Sequence, residues 1–126
     1  MSVSSLKQLL SQQTDLELAI LIGSQAVGNR HLNSDWDIAI RWDKSITGLQ
    51  QLAKTETLRR LLAKHLNQPE SKIDLIDLVT ANLTMKAVVA EEGIVLKGED
   101  SLAWNYFLQR TWRELESFYW NKIYVT

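Results

Sequence analysis

From Asp35 to Trp42 the chain alternates without a break: Asp35, Asp37, Ala39 and Arg41 interleave with Trp36, Ile38, Ile40 and Trp42. Successive side chains of a β-strand point to opposite faces, so this stretch reads as a strand with two distinct sides. One side sends two tryptophans and two isoleucines into a core. The other carries two carboxylates two residues apart, aimed the same way. A second apolar run, Leu16 to Ile22, precedes it, and Leu16, Leu18, Ile20 and Ile22 are expected to share one face. Gly23-Ser24 ends that run, and Gln25-Ala26-Val27 is expected to form a short helical turn before Gly28-Asn29.

The remaining periodicities fill in an alternating chain. Ser5 to Gln13 reads as a short helix, with Ser4 or Ser5 available as N-cap. Gly48 to Leu66 reads as a helix with Leu49, Leu52, Ala53, Leu58, Leu61, Leu62 and Leu66 on its apolar side, and Pro69 just past its end. Ile73 to Val79 is a third strand, Asn82 to Glu91 a helix with Gly93 near its C-cap, and Ile94 to Lys97 a short fourth strand. Ser101 to about Ile123 is a long final helix. This order predicts an α/β or α+β fold: a small mixed β-sheet flanked by helices, with a long C-terminal helix. The 126 residues are expected to form a single domain spanning 1–126.

Composition narrows the function classes. Hydrophobic residues make up 45% and charged residues 23%, which suits a globular protein with one core. No apolar run approaches the roughly 18 residues of a membrane span, and Met1 to Leu10 lacks the apolar stretch of a signal peptide. With no cysteine, disulfides and thiolate metal sites are excluded. A cytoplasmic location is the expectation. The formal net charge of -1 argues against stable nucleic-acid binding, which usually needs a basic surplus. His31 and His65 are read as surface residues, as are Lys54, Arg59, Arg60 and Lys64 beside Glu56.

The chemistry is carried by Gly23-Ser24, ten further residues, and Asp35-Trp36-Asp37. Adjacent like charges repel, so a cation should neutralise Asp35 and Asp37. Magnesium favours one or two carboxylates together with phosphate oxygens and water. Two such ions, roughly 3.5–4 Å apart, would support in-line displacement at phosphorus. Glycine lets backbone approach a ligand closely. The N–H groups of the turn and the Ser24 hydroxyl can then hold phosphate oxygens. A third carboxylate is expected from Ile73-Asp74-Leu75-Ile76-Asp77-Leu78. Asp74 is favoured, because the flanking Ile73 and Leu75 turn it away from the core, but Asp77 near the strand end is the alternative. Its role would be to take the acceptor's proton or bind the catalytic metal.

Together with Lys72-Ile73-Asp74-Leu75-Ile76-Asp77-Leu78 and the trailing Glu91-Glu92-Gly93-Ile94-Val95-Leu96, these residues resemble the minimal nucleotidyltransferase (MNT) family of the DNA polymerase beta superfamily. The resemblance covers roughly Leu16 to Gly98 and so marks the catalytic core as about 16–98. It implies the nucleotidyltransferase fold, with Asp35 and Asp37 holding magnesium, Asp74 completing the triad, and Gly23 and Ser24 binding the triphosphate of ATP. Family members often carry Arg directly after Gly-Ser, where this chain has Gln25. Arg30 or Arg41 could compensate, and Arg41 is the better candidate because it shares the face of Asp35 and Asp37. Many members are antitoxin partners of a HEPN-domain ribonuclease toxin, and some add AMP to a toxin tyrosine. The resemblance therefore implies an AMP-transferring antitoxin in a hetero-oligomer. A contact-only antitoxin and a small-molecule nucleotidyltransferase are the competing readings.

Eight of the ten aromatic residues fall between Trp104 and Tyr124 and spread around more than one helical stripe. Aromatic excess of this kind marks protein-binding hot spots, so the helix from about 101 to 123 is expected to pack part of its aromatics in the core and to present the rest as a partner dock or a self-association surface. Trp104, Trp112 and Trp120 advance about 80° from one to the next, and at least one of them should be exposed.

Overall fold

The computed structural model describes residues 3–26 and 35–124. The elements are α1 (Val3–Ser11), β1 (Leu16–Ile22), a 3-10 turn at Gly23–Gln25, β2 (Trp36–Trp42) and α2 (Gly48–Leu66). There follow a 3-10 turn at Glu70–Lys72, β3 (Ile73–Asp77), α3 (Leu83–Glu92), β4 (Ile94–Lys97) and α4 (Leu102–Tyr124). The expectations for Gly28-Asn29, Arg30 and His31 lie outside the described residues, as does Val27 of the expected turn.

The four strands form one mixed sheet in the order β3-β2-β1-β4. β1 pairs antiparallel with β2 and with β4, while β2 and β3 run parallel. The parallel pair needs a crossover, and α2 provides it. This helix ends at Asn67, whose left-handed backbone (φ 55°) caps the last turn through its N–H to the Ala63 and Lys64 carbonyls, and Pro69 stops further winding. At the start of α3, the Asn82 side chain accepts the Met85 N–H at 2.9 Å.

Both faces of the sheet are buried. On one, Trp36, Ile38, Ile40 and Trp42 of β2 meet Ala19 and Leu21 of β1 and the buried sides of α1 and α2. On the other, Leu18, Ile20, Ile22 and Ala39 meet Val89 of α3 and Trp104 and Phe107 of α4. The alternation of β2 thus sorts as expected. That of β1 does not: a register shift between Leu16 and Leu18 turns Leu16 to the face of Leu21. The four residues expected on one face are therefore divided between two.

The apolar side of α2 also departs from expectation. Leu58, Leu62, Ala63 and Leu66 are buried, whereas Leu49 (83% exposed) and Leu52 (59%) face solvent. Helical period places them on one stripe, but apolar burial of this helix begins only at Leu58. In α4 the buried positions are Trp104, Phe107 and Thr111, and from Glu116 to Ile123 every residue is exposed. Of the three tryptophans, Trp104 is core, while Trp112 and Trp120 are exposed, as the 80° advance requires.

Candidate active site

The strand register builds the site. β1 ends at Ile22, which pairs with Asp37 of β2, and on its other side Asp37 pairs with Asp74 of β3. Both carboxylates belong to the N-terminal ends of parallel neighbours, so they stand side by side. Asp37 is half-buried and Asp74 is exposed. The carboxyl of Asp37 is raised above its usual 3.8 first by burial, then by the negative charges of Asp74 and Asp35, and by a hydrogen bond shared with Asp74. Asp35 lies just before β2 and is exposed, with Lys72 Nζ 3.7 Å from its Oδ1.

Gly23 closes the other side. Its φ of +77° is one that L side chains rarely adopt, and a Cβ there would stand 2.5 Å from Oδ2 of Asp37. Only glycine lets the turn lie against that carboxylate. Ser24 follows, partly exposed, within the same 3-10 turn. Gln25 is 2% exposed, so the residue standing in the family's arginine position faces the interior rather than a ligand.

The structure thus gathers Gly23, Asp37, Asp74 and Asp35 at one end of the sheet, with Ser24 beside them in the turn. Arg41 is not among them. It shares the face of Asp37, as expected, but four residues of strand, on the order of 13 Å, separate the two. Its Nε faces Glu17 Oε2 at 3.4 Å. Asp77 is also set apart: its Oδ1 accepts the Val79 N–H at 2.9 Å and so shapes the turn after β3. Lys72 had no assigned role in the sequence, yet its place two residues before Asp74 was a usable sign, since it brings a cation to the carboxylate cluster.

Among the described residues, no three acidic, histidine or cysteine side chains are drawn into a ready metal centre. The donor set nevertheless fits a hard divalent ion. It consists of carboxylate oxygens alone, and the raised Asp37 carboxyl registers a repulsion that such a charge would relieve.

A mixed sheet with helices on both faces, a Gly-Ser turn and carboxylates on adjacent strands define a nucleotidyltransferase fold. The polymerase beta nucleotidyltransferase family model matches residues 4–102, and the chain belongs to that family. It is similar to Protein adenylyltransferase MntA of Aphanizomenon flos-aquae (strain 2012/KM1/D3), at 29% identity over 106 residues, covering 82% of this chain and 71% of that protein. Its fold matches a crystal structure of a toxin-antitoxin with AMP-PNP (TM-score 0.69, 24% identity, 94% of this chain and 90% of that one). It also matches the MNT antitoxin in complex with a tri-AMPylated Shewanella oneidensis HEPN toxin (TM-score 0.63, 20% identity, 93% and 89%). Within the described residues no helix is long and apolar enough to cross a membrane.

Proposed function

We propose that this chain transfers AMP from ATP to a tyrosine hydroxyl of a partner HEPN-domain ribonuclease toxin, and acts as that toxin's antitoxin in the cytoplasm. The observation that carries the reading is the in-register pair Asp37–Asp74 with Gly23 packed against the Asp37 carboxylate. Membership of a nucleotidyltransferase family supports the reaction class, and the relative named a protein adenylyltransferase supports AMP and a protein acceptor.

In this reading Asp35, Asp37 and Asp74 hold magnesium, as two ions, and Gly23 and Ser24 bind the triphosphate. Residues 16–98 carry the catalysis and the helix from 101 to about 123 carries the docking. Magnesium, when bound, neutralises phosphate charge and the mutual repulsion of the carboxylates. A phenol has an ordinary pKa near 10 and is a poor nucleophile at neutral pH, so Asp74, the most solvent-open of the paired carboxylates, takes its proton. The acceptor oxygen then bonds the α-phosphorus, the bond from that phosphorus to the bridging oxygen breaks, and pyrophosphate leaves. The Gly23 turn lets backbone N–H groups and the Ser24 hydroxyl approach the phosphates. Arg41, held by Glu17 at the far end of β2, has no part in it.

The test is incubation of a HEPN-domain ribonuclease with the enzyme, ATP and magnesium, followed by intact-mass analysis. The toxin should gain mass in steps of one AMP, on tyrosine. A toxin that is silenced but unmodified contradicts the reading and favours inhibition by contact.

A further inference from the structure

Where β2 and β3 begin, four charged side chains stand in two neighbouring rows. Asp35 and Asp37 form one row, Lys72 and Asp74 the other. The register pairs Trp36 with Ile73 and Asp37 with Asp74, so Asp35 and Lys72 are the residues that lead into the paired stretch. Lys72 closes the 3-10 turn Glu70–Lys72, and its backbone N–H to the Pro69 carbonyl (3.0 Å) fixes where its side chain departs. From there Nζ reaches across to Asp35, 3.7 Å from Oδ1. Among the described residues no other cation comes within ion-pair distance of Asp35, Asp37 or Asp74. The remaining pairs lie on Asp15, Glu17, Glu56, Glu70 and Glu114.

From this placement we infer that Lys72 is a positioning residue that exchanges partners: its ammonium holds Asp35 before metal arrives, and passes to a phosphate oxygen when magnesium and triphosphate enter together. A metal ion on Asp35 repels an ammonium held at the same carboxylate. Lys72 therefore opposes magnesium that comes alone. It does not bar the site, because the side chains of Lys72 and Asp35 are 35% and 56% exposed, and water screens an ion pair so open. Ligands of one magnesium ion lie within about 4 Å of one another. A phosphate oxygen that shares an ion with Asp35 thus comes within reach of the displaced ammonium and gives it a new anion. Lysine suits this exchange, since its charge is a point on a four-carbon stem that can swing. Lys72 in this way couples the binding of metal to the binding of nucleotide.

Magnesium and ATP as the ligands rest on the proposed function, and the test needs no acceptor. Titration calorimetry measures magnesium binding to the nucleotide-free chain, and ATP binding at saturating magnesium, for wild type, Lys72→Met, Lys72→Arg and Arg60→Met. Arg60 faces Glu70 of the same turn at 3.9 Å and controls for the loss of one positive charge. All variants should fold as wild type does, by circular dichroism. In Lys72→Met, magnesium alone should bind about fivefold tighter, the effect in water of removing one charge about 4 Å from a carboxylate. ATP with magnesium should bind at least roughly tenfold more weakly, for the loss of one charged contact. Lys72→Arg and Arg60→Met should stay within about threefold of wild type in both titrations. Shifts of one sign, a shift in one titration only or in neither, unfolding of Lys72→Met, or the same opposed shifts in Lys72→Arg or Arg60→Met overturn the exchange. A wild-type chain that binds neither ligand overturns it together with the proposed function. Opposed shifts in a chain that adds no AMP to a HEPN-domain ribonuclease leave the exchange standing and remove the proposed function.

Discussion

Asp37 and Asp74 face each other across the parallel register of β2 and β3, and burial together with the negative charge of Asp74 raises the Asp37 carboxyl. Because Asp37 is raised above its usual 3.8, the folded protein holds that proton to higher pH than the unfolded chain does. The sign follows: no penalty exists below the ordinary carboxylate range, and a destabilisation grows as pH rises through the raised value. Asp37→Asn should therefore melt at or above the wild-type temperature at neutral pH without divalent ions, and the gap should close in acid. Added magnesium should raise the wild-type midpoint, by linkage, and leave that of Asp37→Asn nearly unmoved. A neutral-pH midpoint well below wild type in the variant would contradict the strain assigned to the pair.

Gly23→Ala tests the close approach of turn and carboxylate. A Cβ there would stand 2.5 Å from Asp37 Oδ2, on a backbone of φ +77°. The left-handed backbone alone costs about 1–2 kcal/mol, and the Asp37 carboxylate must also move. Loss of stability in that range, with transfer reduced far more than folding, is the expected result of paired melting and activity measurements. A variant that melts and turns over like wild type removes Gly23 from the site.

Ser24→Ala should leave the fold intact, since Ser24 is partly exposed. One hydrogen bond to a charged phosphate oxygen is worth about 1.5–3 kcal/mol, so the nucleotide dissociation constant should rise by at least roughly tenfold. Calorimetric titration reads this directly, and an unchanged constant means that the hydroxyl does not touch phosphate.

Three substitutions separate site from scaffold. Asp74→Asn should lower the rate of transfer by about 10²–10⁴-fold, the usual worth of a general base. Asp77→Asn keeps the oxygen that accepts the Val79 N–H and should leave the rate near wild type. Arg41→Met should keep nucleotide affinity within about threefold, its partner being Glu17 and its effect that of an ordinary surface change. A rate collapse in Asp77→Asn, or a tenfold affinity loss in Arg41→Met, reverses these assignments.

What was legible in the sequence was whatever depends on local period. The bounds of β1, α2 and β4 and the core side of β2 follow from alternation and helical spacing, and the structure agrees with them. The preference for Asp74 over Asp77 was also local, resting on the parity of Ile73 and Leu75, and the register places Asp74 beside Asp37. What escaped depends on pairing at a distance. The bulge that turns Leu16 over is set by the partner strand. The exposure of Leu49 and Leu52, on a helix whose buried residues begin at Leu58, is set by tertiary packing and not by helical period. Arg41 has the correct face but the wrong end of its strand, and a face is all that alternation reveals.

In the proposed function the carboxylate pair at the Gly23 turn drives AMP transfer onto a protein hydroxyl. The most direct measurement is transfer of labelled AMP from ATP to the HEPN-domain partner by the wild-type chain and by the Asp35→Asn, Asp37→Asn double variant, with both shown to be folded and partner-bound. Transfer by the wild type and none by the variant is the predicted result. Equal labelling by both, or labelling by neither, contradicts it.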